Sequence, residues 1–309
     1  MSDNAAVDLV IARVKAVYGS WRSDTPVAQM RADWDQLFSA TGDAPIEPVE
    51  CAGVPCQWVT ARGVRLDKAI VYLHGGGFQV GSLASHRELV AGLSAAAGVR
   101  VLGVGYRLAP EHRYPAALED TLAVWRWLRA HGYRPGDLAL AGDSAGAGLA
   151  LSALLALQEQ GQALPAAAFL MSAWTDLTAS GESYETRAAA DPIHQRPMIL
   201  AMARNYLGKG GDANHPLVSP LMASPAQLRG LPPMLLQVGD RETVLSDSEA
   251  FARKAREAGA DAQCEIAPGM IHVFQQFPAQ LREAREAIAS AGEFLATHLG
   301  VASNRKTSP

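Results

Sequence analysis

The residues that could do chemistry fall into four short stretches. Gly142-Asp143-Ser144-Ala145-Gly146 lies between an apolar run and a helical stretch rich in small residues. This is G-x-S-x-G in the strand–turn–helix setting that holds a serine nucleophile at a sharp turn. Gly142 and Gly146 are the small neighbours such a turn needs. Ser144 then heads a helix, where the free N–H of Ala145 and the helix dipole favour a developing oxyanion. His74-Gly75-Gly76-Gly77 follows another apolar run, and three consecutive glycines let the backbone turn its N–H groups inward as the second part of an oxyanion hole. No G-K-[ST] follows, which excludes a phosphate loop. His74 itself, at a strand end, reads as a hydrogen-bonded scaffold residue. His272, in "APGMIHVFQQF" after a Pro-Gly turn, is the candidate base. His86, His112, His131, His194, His215 and His298 fall on helices or cap loops. No H-E-x-x-H and no histidine cluster of metal spacing occurs, so neither a metal nor a cofactor is expected.

A serine–histidine pair needs an acid to orient the base. "VGDRETVLSDSEAF", residues 238–251, offers Asp240, Glu242, Asp247 and Glu249. Ser246 and Glu249 spell S-x-x-E, a capping box that would open a helix over 246–259. Asp247 is then a first-turn acid favoured by the dipole. Asp240 and Glu242 remain, both in the loop after a strand ending at Gly239. Asp240 sits at the lip of that strand, where it could tie down the turn; Glu242 has an extra methylene with which to reach. The residues alone leave both open.

The elements that must position these side chains alternate. Strands are expected at 54–60, 69–74, 99–106, 138–142, 167–172, 234–239 and 262–267, several of them continuously apolar, as parallel strands covered on both faces are. Helices are expected near 83–97, 117–131, 145–160, 246–259 and 279–298. The alternation predicts an open, mostly parallel sheet with helices on both sides. Residues 1–45 read as two helices, about 5–18 and 26–40, ahead of any strand. Residues 175–230 are too long for a plain connection and hold a helix near 197–207. Both segments are placed as a cap over the C-terminal edge of the sheet, where such folds bind ligands. The chain therefore divides into cap helices at 1–45, a catalytic domain at 46–300 to which 175–230 adds a second cap segment, and a polar tail at 301–309.

The 309 residues are 49% apolar and carry a formal net charge of −4, which disfavours a nucleic-acid partner. No run of 18 apolar residues and no basic-then-apolar leader is present, so neither a membrane span nor a signal peptide is expected. Three cysteines, Cys51, Cys56 and Cys264, read as free thiols in a reducing compartment, hence a cytoplasmic protein.

Taken together, HGGGF at 74–78, "YRLAPEHRYPAALED" at 106–120, GDSAG at 142–146, "SAWTDLT" at 172–178 and "PGMIHVF" at 268–274 resemble the hormone-sensitive-lipase family of bacterial carboxylesterases. The resemblance spans about 70–298. It implies an α/β-hydrolase fold, a mostly parallel eight-stranded sheet flanked by helices under a helical cap, and hydrolysis of short- to medium-acyl neutral esters without a cofactor. It also implies that Tyr106, Arg107, Pro110, Glu111 and Asp120 are scaffold beneath the site. The family's D-P-L-x-D precedes an "EAYAxxLxxAG" segment, matched here by "EAFARKAREAG" at 249–259. Counting back puts the catalytic acid on Glu242 and the second Asp on Ser246, a departure that resembles the branch with a glutamate triad acid. The expected site is Ser144, Glu242 and His272, with Gly75, Gly76, Gly77 and Ala145 around the oxyanion. Trp21, Trp34, Phe38, Met202 and Tyr206 either line the substrate pocket or only glue the cap to the body. Lactones are an alternative substrate, and a triad-less, receptor-like ligand binder is the alternative from outside enzymology. The last strand, as a sheet edge, is where a homodimer would form. A working His272 implies activity rising near a pH of about 6.5.

Overall fold

In the computed structural model, residues 3–22, 24–38 and 44–301 are described. Residues 39–43, which include the end of the second expected helix, lie outside them, as does the tail apart from Val301. Eight strands form one sheet: β1 (Ile46–Cys51), β2 (Val54–Val59), β3 (Arg65–Leu73), β4 (Val99–Val104), β5 (Leu138–Asp143), β6 (Ala167–Met171), β7 (Met234–Gly239) and β8 (Ala262–Ala267). Their spatial order is β1-β2-β4-β3-β5-β6-β7-β8. The first two joins, β1 with β2 and β2 with β4, are antiparallel, and β4 through β8 run parallel. All seven expected strands are present. β1 is the one the sequence did not announce. Its Glu47, Pro48 and Glu50 break the apolar pattern, which an edge strand tolerates because one row of its backbone groups is unpaired.

The described helices are α1 (Asp3–Tyr18), α2 (Val27–Leu37), α3 (Arg87–Ala97), α4 (Ala116–Ala130), α5 (Ala145–Glu159), α6 (Ser183–Thr186), α7 (Arg196–Leu207), α8 (Pro225–Leu228), α9 (Leu245–Glu257) and α10 (Arg282–His298). Alternate residues of β3 sort the core into two layers. Ile70 and Tyr72 pack with Leu89, Leu93, Ile288 and Leu295 of α3 and α10. Val71 and Leu73 pack with Leu128, Leu151, Leu154 and Phe251 of α4, α5 and α9. A third apolar cluster joins Val7, Val10 and Val14 of α1 and Leu37 of α2 to Met270, Ile271, Phe274 and Phe277. The N-terminal helices therefore rest on the loop that carries His272. Of residues 175–230, Ile193, His194, Ile199 and Met202 face a cleft above Ser144. Val218, Ala223 and Leu228 are instead part of the body's core.

The sheet order reverses at β3, whose neighbours β4 and β5 follow it in the chain. Loops leaving β3 and β5 on the same edge diverge there and open a crevice. Leu73 of β3 lies in register with Gly142 of β5, so the glycine loop and the serine turn emerge side by side.

Candidate active site

Ser144 has φ 52° and ψ −119°, a backbone position sparsely used by residues other than glycine. It is held there from both sides. Its N–H donates to the carbonyl of Met171, and its carbonyl accepts from Gly148 and Trp174. A Cβ on Gly146 would collide with the Leu73 carbonyl, and one on Gly142 would lie 2.6 Å from Gly146. The glycines of the elbow are thus required by the closeness of β3 to α5.

The acid question has a geometric answer. Glu242 is fully buried, and its Oε2 lies 2.7 Å from His272 Nδ1. Its Oε1 accepts from Ser172 Oγ at 2.8 Å and from the Gly239 N–H. Ser172 Oγ in turn accepts the Val273 N–H at 2.9 Å, so one hydroxyl ties the acid loop to the histidine loop. Asp240 does not approach His272; its Oδ1 accepts the Gly269 N–H at 2.7 Å and closes the turn before that histidine. The expected capping box is not formed. α9 begins at Leu245, and Ser246 Oγ is paired with Ser183 Oγ at 2.5 Å. Asp247 is in the first turn but is buried, its Oδ2 accepting the N–H groups of Thr175 and Asp176 at 2.9 Å.

His272 Nε2 is buried without a partner and faces the same cleft as Ser144. No hydrogen bond joins it to Ser144 Oγ. In ligand-free sites that contact is often long. Burial alone would lower the His272 pKa. The charge of Glu242, its hydrogen bond, and then Asp191 and Asp143 outweigh burial and hold the pKa above its ordinary value.

The glycine loop requires one correction. The Gly75 N–H donates to Asp143 Oδ1 at 2.9 Å, so it is not available to an oxyanion. Asp143, the variable residue of the elbow, also accepts from Tyr72 OH at 2.6 Å, and His86 Nε2 stands 3.3 Å from it. It fastens the glycine loop to the serine turn. Among the described residues, nothing takes up the N–H groups of Gly76, Gly77 or Ala145. His74 is scaffold: buried, stacked on Tyr106 at 4.4 Å, its Nδ1 against the Gly75 carbonyl. Burial and the nearby His86 lower its pKa to about 4. Arg107 and Asp120 pair at 2.8 Å below.

The cleft over Ser144 has a free volume of about 40 Å³ and is lined by Trp21, Trp34, Phe38 and Met202, among others. Tyr206 is not on that wall. It stacks on Phe78 at 3.7 Å and is buried behind it, because the stacked pair fills the space between α7 and the body. Beyond Tyr18, Trp21, Met30 and Met202 the cleft adjoins an outer basin of about 680 Å³. The cap is pinned at Gln79. Arg31 of α2 donates to the Gln79 carbonyl at 2.8 Å and pairs with Glu111 at 2.7 Å. Asn205 of α7 donates to the Gln79 side chain at 2.7 Å.

Sequence reasoning missed His194, which it left on a cap loop. Its ring meets that of His272 edge to face at 4.4 Å. Burial and the nearby His272 lower its pKa to about 3, so it is neutral. Asp191 places it, accepting the His194 N–H at 2.9 Å with one oxygen and the Thr243 N–H at 2.7 Å with the other. Nothing in the residue pattern around "DPIH" signals that contact; it exists only once the loop folds over the acid.

The α/β-hydrolase fold family matches residues 70–276. An acetyl-hydrolase of Streptomyces hygroscopicus is 42% identical over 278 residues, covering 89% of this chain and 91% of the relative. An esterase of Acinetobacter venetianus is 36% identical over 259 residues, 84% of either chain. A solved esterase from the bacterial hormone-sensitive lipase family superposes with a TM-score of 0.93 at 42% identity, over 97% of this chain and all of that one.

Proposed function

Because the chain belongs to the hormone-sensitive-lipase branch of the α/β-hydrolase family and is a carboxylic ester hydrolase, we propose that it cleaves short- to medium-acyl neutral esters through a covalent acyl-serine. Ser144 attacks the ester carbonyl while His272 Nε2 takes its proton. Glu242 holds Nδ1 in its protonated tautomer and stabilises the imidazolium that forms. The oxyanion is received by the N–H groups of Gly76, Gly77 and Ala145. His272 returns the proton to the leaving alcohol, then activates the water that frees Ser144.

One observation carries this reading. The buried pair of Glu242 and His272, 2.7 Å apart, leaves His272 Nε2 open toward the cleft that also holds Ser144. The substrate range rests on the narrow cleft and on its lining, which among the described residues contains neither Lys nor Arg. The test is a fluorophosphonate probe followed by peptide mapping, beside a p-nitrophenyl ester series from C2 to C12 and simple lactones. Label on Ser144 and a maximum at the short end are expected. Unlabelled Ser144 in an active preparation would sink the mechanism. We also propose that two copies pair along β8, the terminal strand, where Ile266 is exposed; a monomer in size-exclusion chromatography would remove that assembly.

A further inference from the structure

Three residues on the cleft wall are at least nine-tenths buried and keep a polar atom with no partner among the described residues: Trp34 Nε1, Gln276 Nε2 and His194 Nδ1. The mechanism accounts for the fourth such atom there, His272 Nε2, and for none of these three. They share one continuous surface. The Trp34 ring lies 5.0 Å from Phe38, and Phe38 lies 5.6 Å from Phe277, the neighbour of Gln276. Tyr18 bridges Trp34 at 5.7 Å and His194 at 6.3 Å. A buried polar atom left unpaired costs free energy, and native proteins seldom leave several together without a use.

The chemistry of the atoms defines what would satisfy them. An indole N–H only donates, and an amide NH₂ only donates. His194, being neutral, has one donor and one acceptor nitrogen. For Trp34 and Gln276 the missing partner is therefore an acceptor. It is also uncharged: among the described residues no Lys or Arg lines the cleft, Asp143 is on its wall, and the carboxylates of Glu242 and Asp191 hold the two histidines that line it. We propose that the enzyme selects esters carrying a second, neutral oxygen (an ether, ketone or hydroxyl), which Trp34 and Gln276 recognise by hydrogen bonding. This deepens the ester-hydrolase reading above and rests on it. An apolar cleft without donors would do the opposite, since replacing a methylene by oxygen forfeits hydrophobic burial.

Isosteric ester pairs test this in both arms of the substrate. For the acyl arm, ethyl 4-methoxybutyrate is compared with ethyl hexanoate. For the alcohol arm, 3-methoxypropyl acetate is compared with pentyl acetate. Each kcat/KM is divided by the ester's hydroxide-catalysed rate, and each ratio is taken on one preparation, so the fraction of folded enzyme cancels. The expected result is a preference for the oxygen-bearing ester of about tenfold or more in one arm, which also identifies the arm. The preference should collapse in Trp34→Phe combined with Gln276→Leu. Equal rates, or a preference for the hydrocarbon, in both arms of the wild-type enzyme would overturn the proposal, as would an oxygen preference that survives the double substitution. If the preference is absent while the enzyme hydrolyses ethyl hexanoate and a separate sample is labelled and inactivated at Ser144 by fluorophosphonate, only the selectivity has failed. No turnover of any of the four esters would overturn the underlying reading and the selectivity with it.

Discussion

Glu242→Gln is the substitution with the most determinate outcome, because the surroundings decide which way the new amide points. Glu242 Oε1 accepts from the Gly239 N–H and from Ser172 Oγ, and Oε2 faces His272 Nδ1. The Gly239 N–H can only donate, so the amide oxygen must take that position. The amide NH₂ is then left against His272 Nδ1 and donates to it. Nδ1 becomes an acceptor, the ring proton moves to Nε2, and Nε2 can no longer receive the proton of Ser144. The acid-to-amide change in a serine protease triad costs ~10⁴ in kcat by this tautomer trap, or about 5 kcal/mol of transition-state stabilisation. A loss of at least ~100-fold is expected here, with a near-isosteric fold and an unchanged circular dichroism spectrum. Asp240→Asn is the control. Its Oδ1 accepts one N–H, from Gly269, which an amide oxygen also can, so kcat should change by about twofold or less. Steady-state hydrolysis of p-nitrophenyl butyrate measures both. A Glu242→Gln enzyme within tenfold of wild type, or an Asp240→Asn enzyme equally crippled, would refute the assignment.

Four further outcomes follow from the same contacts. Carboxylates hold the His272 pKa above its ordinary value, so the acid limb of kcat/KM should lie above about pH 6.5, and it should move down in Glu242→Gln. By linkage, the protonated pair adds stability that is complete below about pH 6.5 and gone once the pH has risen through the folded-state pKa; denaturant titrations from pH 5 to 9 measure that loss. Gly75→Ala drives a Cβ into the Asp143 carboxylate, which Tyr72 holds in place, and should cost about 1–3 kcal/mol in denaturant unfolding. Ser172→Ala strips Glu242 of a donor and leaves the Val273 N–H buried and unpaired; a loss of about 1–3 kcal/mol is expected, with a drop in kcat larger than any change in KM.

The parts of the site that depend on short-range chemistry were legible in the sequence. The GDSAG turn, the glycine loop and the Pro-Gly turn before His272 each carry their backbone requirement in adjacent residues, and the apolar strands that lead into them are unmistakable. What was not legible depends on distant partners. Three glycines in a row do not reveal that the first is spent on Asp143, 68 positions away. The spacing of Ser246 and Glu249 satisfies a capping box, but Ser183 takes the serine hydroxyl first. Trp21, Trp34, Phe38 and Met202 do line the cleft, whereas Tyr206, on the same helix as Met202, faces Phe78. Met202 and Tyr206 are four apart and share a face of α7, one turn apart along its axis, and only the packing partner tells which one meets the substrate. β1 was missed because Glu47, Pro48 and Glu50 are acceptable on an edge and nowhere else.

Five segments meet at this site, and each is fixed to another by a side chain that touches no reacting atom. Asp143 joins the glycine loop to the serine turn, Ser172 joins the acid loop to the histidine loop, and Asp191 joins the cap loop to Thr243 beside the acid. Arg31 and Asn205 then fasten both cap segments to Gln79. Such cross-ties are needed because the backbone is strained where the site is sharpest: Ser144 and Val273 both have positive φ, 52° and 49°, which costs of order 1–3 kcal/mol each and persists only where the surroundings over-determine it. A misplacement of about 1 Å between nucleophile, base and oxyanion donors can cost ~100-fold in rate. A buried, fully partnered carboxylate or hydroxyl resists such a shift better than apolar packing does, since moving it breaks several directional bonds at once. The same logic separates Asp143, Ser172 and Asp191, whose polar atoms are taken up within the protein, from Trp34 and Gln276, which line the cleft and each keep a buried donor with no partner among the described residues. The first set holds the catalytic geometry whether or not a substrate is present; in the proposed selectivity, the second makes its hydrogen bonds when a substrate supplies the acceptor.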